Sequence, residues 1–233
     1  MHINLIKQPG AAAAHLLLNP GEIIYGEAGA MIAMNSETRV KSVTRSDKDA
    51  DGKKKGGGIM KAMKRLLAGE SLLINEYVAG EKGGLLLLAA ALPGDLVALD
   101  LAETGPVIAQ GGSFLAYEYG VTMDTTFGGA KNLFSGEGLF WLKFDGSGKA
   151  LLSSFGAIYE VPVDGEYLVD SGHLVAFQET LSYKMSRSAK GIGSLLGSGE
   201  GLVMRFTGQG RLWCQSHHAG SFGKQLGPQL RPA

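Results

Sequence analysis

SGEGLFW, residues 135–141, returns with small changes as AGESLLI at 68–74 and as SGEGLVM at 198–204. A second phrase, Gly-x-apolar-apolar-Ala, recurs at 29–33 (GAMIA), 112–116 (GSFLA) and 172–176 (GHLVA). Just upstream of each lies an apolar-rich segment with a turn: HLLLNPGEIIY, LVALDLAETGPVIA and IYEVPVDGEYLV. Downstream of each comes a strand-like run: SETRVKSV, YGVTMDT and TLSYKMS. Every copy then closes with a hairpin-like pair around glycine: LLINEYVAGEKGGLLLLAA, LFWLKFDGSGKALLSS and LVMRFTGQGRLWCQS. The same landmarks in the same order predict three tandem copies of one small antiparallel β module, roughly residues 1–93, 94–155 and 156–233. Alternation in IYEVPV and VTMDT carries the period of half-buried strands, and Pro-Gly, Asp-Gly and Gly-x-Gly punctuate them. A module this small has a marginal core of its own, so the copies are expected to bury apolar faces against one another in a single domain.

The bulk composition agrees. The chain has 233 residues, 45% of them hydrophobic, which excludes an intrinsically disordered polymer. The 36 glycines are spread along the chain and suit many tight turns. Lys+Arg and Asp+Glu both number 22, so no global charge excess attracts nucleic acid. Cys214 is the sole cysteine. An intrachain disulfide is therefore impossible, and a reducing, cytoplasmic location is expected. The most apolar stretch, LLLLAAALPGDLVALDL at 85–101, is broken by Pro93-Gly94-Asp95 and reads as two strands around a turn, too short for a membrane helix.

The copies differ in one place. From the first Gly of Gly-x-x-x-Ala to the Gly of Gly-Glu is 40 residues in copy one, 24 in copy two and 27 in copy three. Copy one thus carries an insertion, residues 45–67, within a basic window. From Arg39 to Arg65 there are ten basic residues against three acidic ones, a net charge of +7. Inside it IMKAMKRLL, residues 59–67, is amphipathic at helical spacing and predicts a short helix. Ile59, Met60, Ala62, Met63, Leu66 and Leu67 share one arc, and Lys61, Lys64 and Arg65 the other. Docking of the apolar arc on the β core explains this pattern structurally. As a functional surface, Lys53, Lys54, Lys55, Lys61, Lys64 and Arg65 would meet an anionic lipid surface or an acidic protein.

The ordered phrases GEAGAMIAM, KRLLAGESLLI, LPGDLVALDL, FSGEGLFWL, VDSGHLVAF and GEGLVMRFTGQGRL resemble the widespread bacterial family related to the fungal altered-inheritance-of-mitochondria protein twenty-four. The resemblance covers residues from about 3 to 217. It implies a fold similar to the tryptophan RNA-binding attenuation protein, with three fused copies of that β module, so that a homotrimer would make a ring of nine modules. The family has no established biochemical activity, so the resemblance supplies no mechanism. The fungal relatives act in organising the mitochondrial inner membrane.

Other chemistry is weighed on the residues. Glu70, Glu137 and Glu200 stand at equivalent places in the three Gly-Glu phrases. Three identical carboxylates point to a repeated structural role rather than to one catalytic centre. The histidines at 2, 15, 173, 217 and 218 contain no His-x-His pair of the kind a metal-binding barrel uses, and adjacent His217 and His218 would point to opposite faces of a strand. DGSGKA (145–150) lacks the first Gly and the hydroxyl of a phosphate loop and reads as a hairpin turn; GIGSLLG (191–197) misses the dinucleotide spacing. No catalytic residue, cofactor or metal site is assigned. The sequence therefore predicts a non-enzymatic, ring-forming binding or scaffolding protein, self-associating as a homotrimer. A barrel-type enzyme and a single-stranded RNA binder are the alternatives, the latter weakened by the lack of a basic-aromatic signature in all three copies.

Overall fold

Period-2 alternation places every second side chain on one face of a strand, so apolar faces must be covered by a second layer. A computed structural model describes residues 1–8, 11–44, 73–126, 141–186 and 202–230. Strands β1 (His2–Gln8), β2 (Ala11–Leu18), β3 (Ile23–Glu27), β4 (Met31–Met34), β5 (Thr38–Thr44), β6 (Leu73–Ala79) and β7 (Gly84–Leu88) come first. Then follow β8 (Leu96–Asp100), the one-turn helix α1 (Leu101–Thr104), β9 (Val107–Gln110), β10 (Phe114–Glu118), β11 (Val121–Thr126), β12 (Trp141–Gly146) and β13 (Lys149–Ser153). Strands β14 (Ile158–Asp170), β15 (Leu174–Gln178), β16 (Ser182–Ser186) and β17 (Val203–Gln215) precede helix α2 (Ala219–Leu226). The protein is all-β, with antiparallel sheets and only short helices among the described residues.

Three sheets form. The first is four-stranded, β1-β2-β7-β4; the second six-stranded, β5-β6-β3-β10-β13-β8; the third seven-stranded, β11-β12-β9-β15-β17-β14, with β16 alongside the first half of β17. Each of two sheets is joined at its centre by a pairing between strands distant in sequence. In the second sheet β3 pairs with β10, Ala116 opposite Gly26 and Tyr117 opposite Tyr25. In the third β9 pairs with β15, Ala176 opposite Ala109 and Phe177 opposite Ile108. The same register break occurs within each Gly-x-apolar-apolar-Ala phrase, between Met31 and Ala33, Phe114 and Ala116, and Leu174 and Ala176.

Three apolar cores lie between these layers. One joins Leu16, Leu86 and Leu88 of the first sheet to Ile24, Tyr77, Leu115 and Leu151 of the second. Another packs Phe114, Tyr117 and Leu152 against Val107, Phe144, Val175 and Trp213. The third gathers Trp141, Phe177, Met204, Phe206 and Leu212 where the third sheet curls over itself. Burial of such side chains contributes about 1.5–3 kcal/mol each, and this is what holds the layers together.

The structure corrects the hairpin reading of the copy ends. Residues 80–83 join β6 to β7, yet β6 lies in the second sheet and β7 in the first. Residues around DGSGKA likewise join β12 of the third sheet to β13 of the second. Gly146 (φ 104) and Gly148 (φ 127) take a backbone conformation closed to other residues, and that turn carries the chain from one layer to the next. In the last third of the chain the expected strand-turn-strand of IYEVPVDGEYLV is instead one 13-residue strand, β14, paired along its length with the equally long β17. α1, within the expected turn of LVALDLAETGPVIA, is capped by Asp100, whose carboxylate accepts from the Ala102 amide at 3.0 Å. α2 was not expected from sequence; its Phe222 meets the Phe155 ring edge-on at 5.4 Å. The helix expected over 59–67 lies outside the described residues.

Candidate functional site

The basic window begins on β5, the edge strand of the second sheet. β5 pairs with β6 from Thr38 opposite Ala79 to Thr44 opposite Leu73. Arg39 and Lys41 are exposed and, two residues apart, share one face of the strand. Lys41 stands opposite Glu76, and Ser42 donates to the Asn75 side-chain oxygen at 2.9 Å. Lys53, Lys54, Lys55, Lys61, Lys64, Arg65 and Glu70 follow Thr44 and lie outside the described residues, as do Glu137 and Glu200. Their positions in the topology are nevertheless matched. Glu70 falls between β5 and β6, Glu137 between β11 and β12, and Glu200 between β16 and β17, each connection closed by an antiparallel pair: Thr44–Leu73, Thr126–Trp141 and Ser186–Val203.

Elsewhere on the surface, charges meet across strands. The Lys143 ammonium donates to Glu179 at 2.7 Å and lies 3.8 Å from Asp145. That hydrogen bond, with the nearby carboxylates, holds it above the ordinary lysine value. Arg205 donates to Glu166 at 2.9 Å. Glu160 accepts from the Trp213 indole at 3.2 Å, with Arg211 at 3.5 Å, and the Arg211 guanidinium sits 5.7 Å from the Trp213 ring centre. On the sheet face beside β5, the Tyr25 hydroxyl is pushed up to about 12, first by burial and then by the Glu76 carboxylate; its ring stacks on Tyr117 at 5.1 Å.

The remaining sequence candidates that fall within the described residues have structural roles. In the DGSGKA turn, the Lys149 amide donates to the Glu118 carboxylate at 2.8 Å and the Gly146 amide to Asp145 at 2.7 Å. A phosphate would need such amides, and here carboxylates hold them. GIGSLLG lies outside the described residues. His217 and His218 follow β17 rather than lying on it, which corrects the opposite-faces reading. The His217 ring packs on Phe155 at 5.2 Å, and His218 lies 5.9 Å from His173. Among the described residues no group of three metal-ligating side chains gathers. Cys214, half-buried on β17, has its thiol pushed up to about 11 by burial. No helix among the described residues is long and apolar enough to cross a membrane.

What the sequence did not single out is the exposure of Met31 and Ile32 on β4, a strand whose counterparts in the phrases GSFLA and GHLVA are buried. The phrase itself is visible in the sequence; the unequal covering of its three occurrences is not.

Comparison with known proteins places this architecture. The family model described as Mitochondrial biogenesis AIM24 matches residues 4–217. An uncharacterized protein of Streptococcus pyogenes serotype M6 is 32% identical over 217 residues, covering 90% of this chain and 83% of that relative. The crystal structure of another Streptococcus pyogenes protein superposes with a TM-score of 0.76 at 25% identity, covering 98% of this chain and 99% of the other. A match spanning nearly all of the strands in order, with a relative above the level where likeness is accidental, settles the affiliation: the chain belongs to the AIM24 family.

Proposed function

We propose that this chain is a non-enzymatic scaffolding or binding protein whose three tandem β modules, 1–93, 94–155 and 156–233, resemble the subunit of the tryptophan RNA-binding attenuation protein. In this reading chains join head to tail into a homotrimeric ring. The ring presents the basic insertion 45–67 of each chain to an anionic partner, a lipid surface or an acidic protein. One observation carries the reading. The long-range pairings β3–β10 and β9–β15 are the same junction made twice, with matching registers and matching register breaks. A chain built by repeating one junction is suited to continuing it between molecules, and a head-to-tail contact either closes or runs on. Three copies of a weakly binding basic segment on one assembly also gain by multivalency, which a single chain lacks.

The experiment is light scattering coupled to size exclusion, with liposome sedimentation on the same preparation. Three times the 24.4 kDa chain mass, stable on dilution, is expected. Sedimentation with anionic but not neutral liposomes at low salt, lost as salt rises, is expected of the basic insertion. A protein that sediments with neither liposome and binds no acidic protein removes the anionic-partner half of the reading.

A further inference from the structure

No residue of the two-turn helix α2, which follows the last strand, is buried. It is held at its start. The His218 ring lies on the turn after β14, so close that a β-carbon on Gly172 would come within 2.5 Å of it, and the Ser221 hydroxyl and His218 Nδ1 share a hydrogen bond 3.0 Å long. One turn on, the edge contact with Phe155 leaves Phe222 48% exposed. Leu226 is 38% exposed and Leu230 61%. Phe222 and Leu226, four residues apart, share one side of the helix, and Lys224 stands on the opposite side. After Arg211 the sequence holds Lys224 and Arg231 and no Asp or Glu. The segment is apolar on one side, cationic on the other, and fixed by its first residues.

α2 and the basic insertion leave the sheets at one end. In the second sheet Thr44 stands opposite Leu73, Ile74 opposite Glu27, Gly26 opposite Ala116 and Phe114 opposite Leu152. The insertion therefore departs and returns at the end of that sheet where β13 finishes. That end meets the end of β17: the Phe155 amide donates to the Gln215 side-chain oxygen at 2.8 Å, and the His217 amide to the Phe155 carbonyl at 3.1 Å. α2 begins two residues later.

We propose that α2 is an interfacial anchor, lying in the headgroup layer of an anionic bilayer with Phe222, Leu226 and Leu230 toward the acyl chains and Lys224 toward the phosphates. This deepens, and rests on, the reading that the basic insertion meets an anionic partner, and it selects the lipid surface. A helix that fills a protein groove presents apolar anchors over several turns, and α2 has two such anchors in its eight residues. An interfacial helix needs only opposed apolar and cationic sides. Its lack of acidic residues suits anionic headgroups, and it stands at the end of the sheets from which the basic insertion departs. So short a helix binds weakly alone, and copies joined in one assembly add their contacts.

Vesicles of phosphatidylglycerol and phosphatidylcholine in equal parts, beside vesicles of phosphatidylcholine alone, test it on the full chain. Trp141 and Trp213 are each 1% exposed, so the tryptophan added by Leu226→Trp supplies the emission that responds to lipid. On the anionic vesicles that emission is expected to shift to the blue and to be quenched by lipids brominated in the acyl chain, and on the neutral vesicles to do neither. In a second arm Leu226→Ser with Leu230→Ser, both at exposed positions, is expected to sediment several-fold less with the anionic vesicles, with circular dichroism and scattering mass unchanged. Sedimentation of the Leu226→Trp protein without blue shift or quenching, undiminished by the two serines, overturns the anchor and leaves the basic insertion as the contact. Binding to polyglutamate that the two serines abolish, with no quenching by brominated lipid, overturns it in favour of an acidic protein. Failure of the unaltered protein to sediment with the anionic vesicles overturns the anchor and the lipid surface of the reading above together.

Discussion

Gly165 and Gly208 face each other across the β14–β17 ladder, and both hold positive φ, 101 and 120. Val163 and Val169 on either side of Gly165, and Phe206 and Leu212 on either side of Gly208, all enter the core around Phe177. A β-carbon built on Gly165 would meet nothing within 4 Å, so the backbone alone resists substitution there. Gly165→Ala should therefore destabilise the protein by about 1–2 kcal/mol through conformational strain. Gly112, equally open but without positive φ, is the control. Gly112→Ala should change stability by less than about 0.5 kcal/mol in urea unfolding. Equal effects at both sites would show that the positive φ does not depend on glycine.

Glu27, at the end of β3, has its carboxyl raised above the ordinary value by burial. The residue at the matching place on β9 is Gln110, a neutral amide that donates to the Ser171 carbonyl at 2.5 Å. A raised folded-state value means that ionisation opposes folding. The opposition is absent below the ordinary carboxylate range, where folded and unfolded chains are both protonated, and is fully present above the raised value. Glu27→Gln should thus stabilise the protein at neutral pH, by under about 1 kcal/mol because part of the residue remains in water. The gain should disappear on acidification, as followed by thermal melts across pH. A constant gain at all pH values would assign it to packing.

Burial lifts the Cys214 thiol to about 11. Thiolate is scarce near neutrality, so a thiol reagent at mildly alkaline pH should label the native protein roughly a hundredfold more slowly than the unfolded chain. Rapid labelling of the native protein would give Cys214 a reactive setting that its packing does not provide.

Charge reversal at Lys53, Lys54 and Lys55 to Glu tests the basic insertion. Sedimentation with anionic liposomes should be lost and the melting temperature should move by no more than a degree or two, the usual consequence of surface substitutions. A large fall in melting temperature would mean that the lysines serve the fold.

Glu70, Glu137 and Glu200 provide a comparison within one chain. If they play one structural role three times, each Glu→Gln change should cost a similar amount, about 1–2 kcal/mol for a charge-assisted hydrogen bond. A single site that behaves unlike the other two would separate it from the repeated role.

Strand positions were legible in the sequence because alternation marks which residues face a core. SETRVKSV and YGVTMDT cover β5 and β11 but for their last residue, and TLSYKMS contains β16. Strand partners were not legible. Alternation is the same whether Leu73–Ala79 pairs with the strand that follows it or with β3 and β5, and the structure chooses the latter. Glycine marked the turn at 146–148 but not its outcome, since a positive φ serves a hairpin and a crossing between layers alike. At Gly165 the same residue type marked no chain reversal at all, only a positive φ inside a continuous strand. The basic insertion was readable as charge and periodicity, yet neither property says what the surface meets. The exposed edge at Met31 and Ile32 was hidden because its sequence is as apolar as that of its buried counterparts.

The crossing of strands between layers also bears on how the chain is made. The second sheet holds β3, β5 and β6 from the first 79 residues beside β10 and β13, which end at Ser153. A chain emerging from the ribosome therefore carries β3 as an open edge until residues well beyond it have been synthesised. The core containing Ile74 is completed only by Trp213, close to the end of translation. Such distant closure is slow, and the waiting edge is a place where nascent chains can pair wrongly with one another. A fragment cut at residue 93 would keep β3 as an open edge and one cut at 155 would leave β9 without β15, so the protein is expected to fold as one cooperative whole and to be poorly recovered in pieces.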